Sequence, residues 1–254
     1  MLLVIDVGNT NTVLGLMDGT RVNGTFRIST LPRTTDEYGV LLRTLLASKD
    51  FELESIEGAI ISSVVPSILF NLEKACRRYL NIEALVVGRN LKTGMQVRTD
   101  NPREVGADRI VNAVSAYQTW GGPIVIVDFG TATTFDCVTA DGAYVGGAIA
   151  PGLRIAEEAL FSKTAKLPRV EVARPSSPIG TNTVHAMQSG LFYGYVGLVD
   201  GLARRCREAL SPDAKVVATG GLSNLIGQAC TEIDEVDATL TLRGLALLYE
   251  RNQE

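Results

Sequence analysis

The chain has 254 residues, 46% of them hydrophobic and 20% charged, which is the composition of a globular protein with enough apolar material for a sizeable core. Its net charge is −4 and it has no long basic run. That argues against a nucleic-acid partner and leaves any phosphate binding to backbone N–H groups, a metal ion and a few local cations.

No apolar stretch approaches membrane-spanning length. The opening Met1-Leu2-Leu3-Val4-Ile5 lacks a basic lead-in and runs straight into Asp6, so it reads as a short buried strand and not a secretory signal. Cys76, Cys137, Cys206 and Cys230 include no C-x-x-C pair, which argues against a zinc site. A cytoplasmic protein with no membrane partner and with thiols used as buried packing is expected.

In chain order, an apolar strand over 3–5 leads into Asp6-Val7-Gly8-Asn9-Thr10-Asn11-Thr12, and a second strand follows to a turn at Asp18-Gly19. Residues 21–28 read as a third strand. Residues 34–49 read as a helix, with Thr34 or Thr35 as N-cap and Asp36 and Glu37 in the first turn. Then come a buried strand over 58–64, a helix opened by Pro66 to about Tyr79, and a strand over 84–87. A polar segment from Asp100 to Arg109 enters an apolar helix beginning Ile110-Val111.

The pattern then repeats. Val125-Ile126-Val127-Asp128-Phe129-Gly130-Thr131-Ala132-Thr133-Thr134-Phe135 matches residues 3–13, and its second strand ends at Asp141-Gly142. A third strand over 143–149, a helix opened by Pro151 and a long helix over 182–210 follow. The remainder reads as a strand over 215–218, a tight turn Thr219-Gly220-Gly221, a helix over 222–229 and a last helix over 240–251. Strands that lead each half and then alternate with helices indicate α/β domains with mixed sheets. The offset suggests duplication of a whole domain, with halves at 1–118 and 119–254.

Each Asp-x-Gly hairpin can wrap anionic oxygens with N–H groups, and Asp6 at a strand end can hold Mg²⁺ directly or through water. Asp108, near a helix N-terminus, is placed where the dipole favours a carboxylate, and Arg109 beside it can clamp an acid. Together they suit a substrate with a hydroxyl at one end and a carboxylate at the other. Neither hairpin contains a Lys, so Asp128 beside a phosphate calls for an intervening ion. His185 is the only histidine, early in a predicted helix, and a catalytic role for it is not expected. Trp120, before Gly121-Gly122, is expected at the boundary between domains.

The paired hairpins resemble the phosphate-1 and phosphate-2 loops of the acetate and sugar kinase, Hsp70 and actin superfamily, and Thr219-Gly220-Gly221 resembles its adenosine loop. That resemblance implies two duplicated ribonuclease H-like (actin-like ATPase) domains with mixed sheets and a central cleft. Asp6-Val7-Gly8-Asn9-Thr10, Asn101-Pro102 with Gly106-Ala107-Asp108-Arg109, Asp128 to Thr133, Gly147 to Gly152, and Gly180-Thr181-Asn182-Thr183 together resemble type III pantothenate kinase.

The resemblance implies ATP-dependent phosphorylation of pantothenate, the first step of coenzyme A synthesis. Asp6, Val7, Gly8, Asn9, Thr10, Asn11, Thr12 and Val13 would form the first ATP-phosphate loop, and Thr131 would contact ATP. Gly106, Ala107, Asp108 and Arg109 would hold pantothenate, with Asp108 as catalytic base. Asp128 would bind the monovalent cation, K⁺ or NH₄⁺. Thr183 would contact pantothenate near the subunit interface of a homodimer. Many relatives carry a Tyr where this chain has Thr99, so that contact is lost or supplied differently. The alternative is a non-catalytic regulatory relative, a transcription accessory factor; such a decayed member should have lost at least one of Asp6, Asp108 and Asp128.

Overall fold

The structure, a computed structural model, describes residues 1–49, 51–88 and 91–253. Among them are ten strands in two five-stranded mixed sheets and seven α-helices. The chain divides into two compact units that interleave along the sequence. The first comprises Met1–Met95, Arg103–Ser115 and Thr239–Glu254, the second Gln96–Pro102 and Ala116–Ala238. A join between duplicated halves after residue 118 stays our proposal for the ancestry of the chain.

The first unit holds β1 (Leu2–Val7), β2 (Asn11–Asp18), β3 (Arg21–Ser29), α1 (Thr35–Ala47), β4 (Gly58–Ser63), α2 (Pro66–Ala75), β5 (Leu85–Val86) and the start of α3 (Ala107–Trp120). The second holds β6 (Ile124–Phe129), β7 (Ala132–Val138), β8 (Tyr144–Pro151), α4 (Leu153–Ser162), α5 (Thr183–Leu210), β9 (Lys215–Gly220), α6 (Ser223–Ile226) and β10 (Glu235–Val236). The last helix, α7 (Leu240–Arg251), belongs to the first unit.

In the first unit the sheet order is β3-β2-β1-β4-β5, antiparallel at β1/β2 and β2/β3 and parallel at β1/β4 and β4/β5. Period-two alternation along β1 sends Leu3, Ile5 and Val7 into a core with Leu42 and Leu46 of α1 and Ile68 and Leu72 of α2. Burying each such side chain contributes about 1.5–3 kcal/mol before entropy is counted. A capping box starts α1: the Thr34 hydroxyl accepts from Glu37 N at 3.3 Å, and Thr34 N donates to Glu37 at 2.7 Å. The opposite sheet face receives α7, whose Leu242 fills the space beside Gly15 of β2. Thr241 Oγ1 donates to Asn112 Oδ1 at 2.7 Å, fixing α7 to α3.

The second unit repeats this plan with order β10-β9-β6-β7-β8. Its core joins Val125, Val127 and Phe129 of β6 to Phe192, Tyr195 and Val199 of α5. Residues 96–98 extend the β8 edge, with Arg98 N donating to Tyr144 O and Tyr144 N to Gln96 O, both at 2.8 Å.

Two local expectations are corrected. Pro151 does not open a helix; it ends β8, an edge strand where its missing N–H costs no ladder bond, and α4 begins after Gly152. Thr219 and Gly220 are not a turn; they continue β9 because each pairs in parallel with Asp128 and Phe129 of β6.

Candidate functional site

In each sheet the first strand carries an aspartate as its next-to-last residue and turns back through a glycine. Asp6 lies opposite Val13 on β2 and beside Ser62 on β4; Asp128 lies opposite Thr134 on β7 and beside Thr219 on β9. The last pair before each turn is Val7 with Thr12 and Phe129 with Thr133. The first turn is therefore one residue longer than the second, and Thr12 corresponds in space to Thr133, not to Thr134 as an ungapped match of the two segments suggests. Side chains of Asn9, Thr10, Asn11 and Thr131 are exposed at the turns, while Thr12 and Thr133 are buried behind them.

Each buried threonine is braced. Thr30, at the end of β3, donates its hydroxyl to Gly8 O at 2.7 Å, shares a hydrogen bond with Thr12 Oγ1 at 2.9 Å, and its N donates to Thr10 O. In the second unit Tyr195 of α5 hydrogen-bonds Thr133 Oγ1 and donates to Pro151 O at 3.1 Å. Burial raises the Tyr195 hydroxyl above its ordinary pKa, so it stays a donor at neutral pH.

Sequence reasoning missed Ser62 beside Asp6, and it named Thr219 only as part of a turn, not as a hydroxyl beside Asp128. Ser62 is fully buried and Thr219 is 1% exposed, and neither side-chain oxygen has a hydrogen-bond partner among the described residues. An unsatisfied buried hydroxyl is costly, so two at matching positions mark groups that meet water, an ion or a ligand. A small hydroxyl residue closing an apolar strand, Ile60-Ile61-Ser62 and Val217-Ala218-Thr219, is the signal that could have found them. Gly220 follows Thr219 with φ +92°, and a Cβ there would run into Asp128 Oδ1 and the backbone of Phe129. Only glycine lets β9 come this close to the Asp128 carboxylate.

Asp108 sits in the first turn of α3, and its Oδ1 accepts from Arg109 N at 2.9 Å. Gly106 leaves room for this carboxyl: a Cβ on it would lie 2.6 Å from Asp108 Oδ1. Burial raises the Asp108 pKa above the usual carboxylate value, against the lowering effects of the Arg109 N–H and guanidinium. A half-buried carboxyl with raised proton affinity beside an arginine can accept a proton next to a cation.

Other predicted positions are more modest. Thr99 Oγ1 is buried with no partner among the described residues, next to the β8 edge. Thr183 is exposed at the start of α5, whose N-cap Asn182 accepts from His185 N at 2.9 Å and hydrogen-bonds its ring. His185 therefore serves the helix cap. The Trp120 ring lies 5.7 Å from the Lys215 ammonium, a cation–π contact within the second unit. Cys76 and Cys137 are buried as expected, but Cys206 and Cys230 are only half-buried. No helix among the described residues is long and apolar enough to cross a membrane.

Asp6, the first hairpin and Gly106–Arg109 belong to the first unit; Asp128, Thr131, Thr99 and Thr183 belong to the second.

Solved structures share this fold at low identity. A Campylobacter jejuni protein assigned to the Baf family of transcriptional activators superposes with TM-score 0.59 at 17% identity, covering 99% of this chain and 98% of its own. The activator of 2-hydroxyisocaproyl-CoA dehydratase from Clostridium difficile, solved with bound ADPNP, gives 0.54 at 16%, covering 99% and 94%. A Sinorhizobium meliloti protein assigned as a 2-dehydro-3-deoxygalactonokinase gives 0.59 at 13%, covering 98% and 96%. At these identities the likeness establishes the actin-like, sugar-kinase-like α/β fold. The family profile for type III pantothenate kinase matches residues 2–205, and this chain belongs to that family.

Proposed function

We propose that the chain transfers the γ-phosphoryl group of ATP to the primary hydroxyl of pantothenate. Asp108 carries this reading: it is a carboxyl of raised proton affinity at a helix start, with Arg109 next to it. In the proposed reaction Asp108 accepts the hydroxyl proton as the oxygen attacks phosphorus, and Arg109 pairs with the pantothenate carboxylate. Gly106 and Ala107 shape that pocket, and Thr99 and Thr183 contact the same substrate.

The turn N–H groups and side chains from Asp6 to Val13, with Thr131, hold the ATP phosphates. Asp6 would hold Mg²⁺ and Asp128 the K⁺ or NH₄⁺ ion. The donors fit: each aspartate has a hydroxyl side chain beside it and no thiol or imidazole, and no cluster of three metal-ligating residues exists among the described residues. Hard cations take such oxygen donors, usually one or two carboxylates completed by phosphate oxygens and water. When bound they neutralise phosphate charge; positioning and electrostatics do the rest.

A homodimer is part of the proposal. Thr183, Gly190, Gly194 and Gly197 follow one another along one exposed face of α5, and a Cβ on any of the three glycines would meet nothing within 4 Å. Glycine in a helix interior costs about 1 kcal/mol each, so this bare face favours close approach of a second copy. Exposed Ile149, Ile155, Ile179 and Tyr193 supply apolar surface in the same unit.

The test is product identification. Incubation with ATP, Mg²⁺, K⁺ and pantothenate should release ADP and add one phosphate to pantothenate by mass spectrometry. ADP release that ignores pantothenate, or none with or without K⁺, overturns the assignment and favours the regulatory reading.

A further inference from the structure

The four cysteines differ chemically. Burial pushes the Cys76 thiol up to about 12, and burial with the nearby Asp200 does the same to Cys230. The Cys206 thiol is instead held at about 7 by a hydrogen bond from Cys137, against the opposing effects of burial and Asp136. Cys137 lies on β7 and is 8% exposed; Cys206 lies near the end of α5 and is half-buried. Both line a cavity of about 290 Å³, together with Gly146 and Ala148 of β8 and with Arg205 and Leu210 of α5. All of these residues belong to the second unit.

We propose that Cys137 and Cys206 are a redox-active dithiol that closes to a reversible intrachain disulfide when a small anionic disulfide enters this cavity. The argument is geometric. Both thiols line one cavity, Cys137 from β7 and Cys206 from α5, which packs on that strand. Thiols whose Cα atoms lie within about 7 Å can bond covalently with little backbone movement. The more exposed of the two faces a space large enough for a small molecule, and the Arg205 guanidinium on its wall suits an anionic one.

In the reaction, the Cys206 thiolate attacks one sulfur of the small disulfide and expels a thiolate. That leaves a mixed disulfide on Cys206. Cys137 then gives up its proton and attacks Cys206 Sγ, expelling the second thiolate; the two expelled thiolates take up protons. Two protein thiols are oxidised to one disulfide and one small disulfide is reduced to two thiols. The bond would tie the C-terminal part of α5 to β7, the strand that returns from the second hairpin. Cys76 and Cys230, with few thiolates at neutral pH, are left out.

The experiment uses the full chain and glutathione disulfide as probe, with acid quenching, alkylation and peptide mass mapping. The expected result is loss of two of the four alkylatable thiols, a cross-linked peptide joining Cys137 to Cys206, and full reversal by dithiothreitol. In Cys137→Ser, glutathione should stay attached at Cys206. Four alkylatable thiols after treatment, a stable glutathione adduct on the parent chain, or a disulfide that includes Cys76 or Cys230 would overturn the proposal. Should the variant fail to fold, iodoacetamide rates on the native parent chain decide: Cys206 fastest and Cys76 slowest supports it, and equal rates contradict it.

Discussion

Asp6 and Asp128 stand at the same place in two sheets of the same strand order, each beside a buried hydroxyl without a partner among the described residues. One position further along they part. After Ser62 comes Ser63, which exchanges hydrogen bonds with Val65 and leads into α2; after Thr219 comes Gly220, whose missing side chain brings the backbone against Asp128. The first hairpin has the longer turn and is braced from within its own sheet by Thr30, whereas the second is braced by a helix through Tyr195. The helices that follow the last strands differ as well: α3 carries Asp108 in its first turn, and α7 has no acidic residue there. In the proposed reading these like frames both hold phosphate, with the acceptor chemistry beside one and a close backbone approach in the other.

Asp108→Asn should have the largest effect. Turnover should fall by roughly 10²–10⁴-fold, the span of acid–base assistance, as read by ADP release. The same change should stabilise the fold at neutral pH. A raised folded-state pKa means the native chain binds the proton more tightly than the unfolded chain, so stability falls as pH rises through the window above the ordinary carboxylate value. The variant lacks that loss. Its unfolding midpoint should exceed the parent's at pH 7, and the gap should close toward about pH 3, where the carboxyl is protonated in both states. A constant gap would show that Asp108 is not desolvated.

Gly220→Ala should come next, costing about 1–3 kcal/mol from the positive φ alone, with further cost from the clash at Asp128. Ser63→Ala, the matching change in the first unit, should cost about 1 kcal/mol or less, as loss of a local side-chain bond does. Equal denaturation midpoints would erase the asymmetry between the two carboxylate environments. Tyr195→Phe should cost about 1–3 kcal/mol, because buried Thr133 loses its side-chain partner. Thr30→Val should cost about the same, because buried Thr12 likewise loses its hydroxyl partner. The smallest effect on stability belongs to Thr219→Val, within about 1 kcal/mol of the parent or slightly stabilising, because no protein hydrogen bond is lost. Its KM for ATP should nonetheless rise, and an unchanged KM would make the orphan hydroxyl structural.

Much of this was legible because it is local. The two Asp-x-Gly segments announce a repeated hairpin, the Thr34/Glu37 spacing announces a helix start, and Pro66 opens α2 where it should. What stayed hidden depends on partners far along the chain. The extra residue in the first turn shows only when each strand is set against its neighbour. Thr219 and Gly220 look like a turn until β6 supplies ladder bonds, and Pro151 looks like a helix start until β8 is seen to be an edge. Nothing in residues 240–251 tells that α7 packs in the first unit, because its apolar stripe would suit either sheet.

The central claim is that both hairpins contribute to ATP binding, and equilibrium ATP titration in Mg²⁺ and K⁺ tests it most directly. Asp6→Asn and Asp128→Asn should each weaken binding by about tenfold or more, equivalent to about 1.4 kcal/mol, with cooperative unfolding retained and K⁺ dependence lost only in Asp128→Asn. Parent-like ATP affinity in either variant would contradict the account.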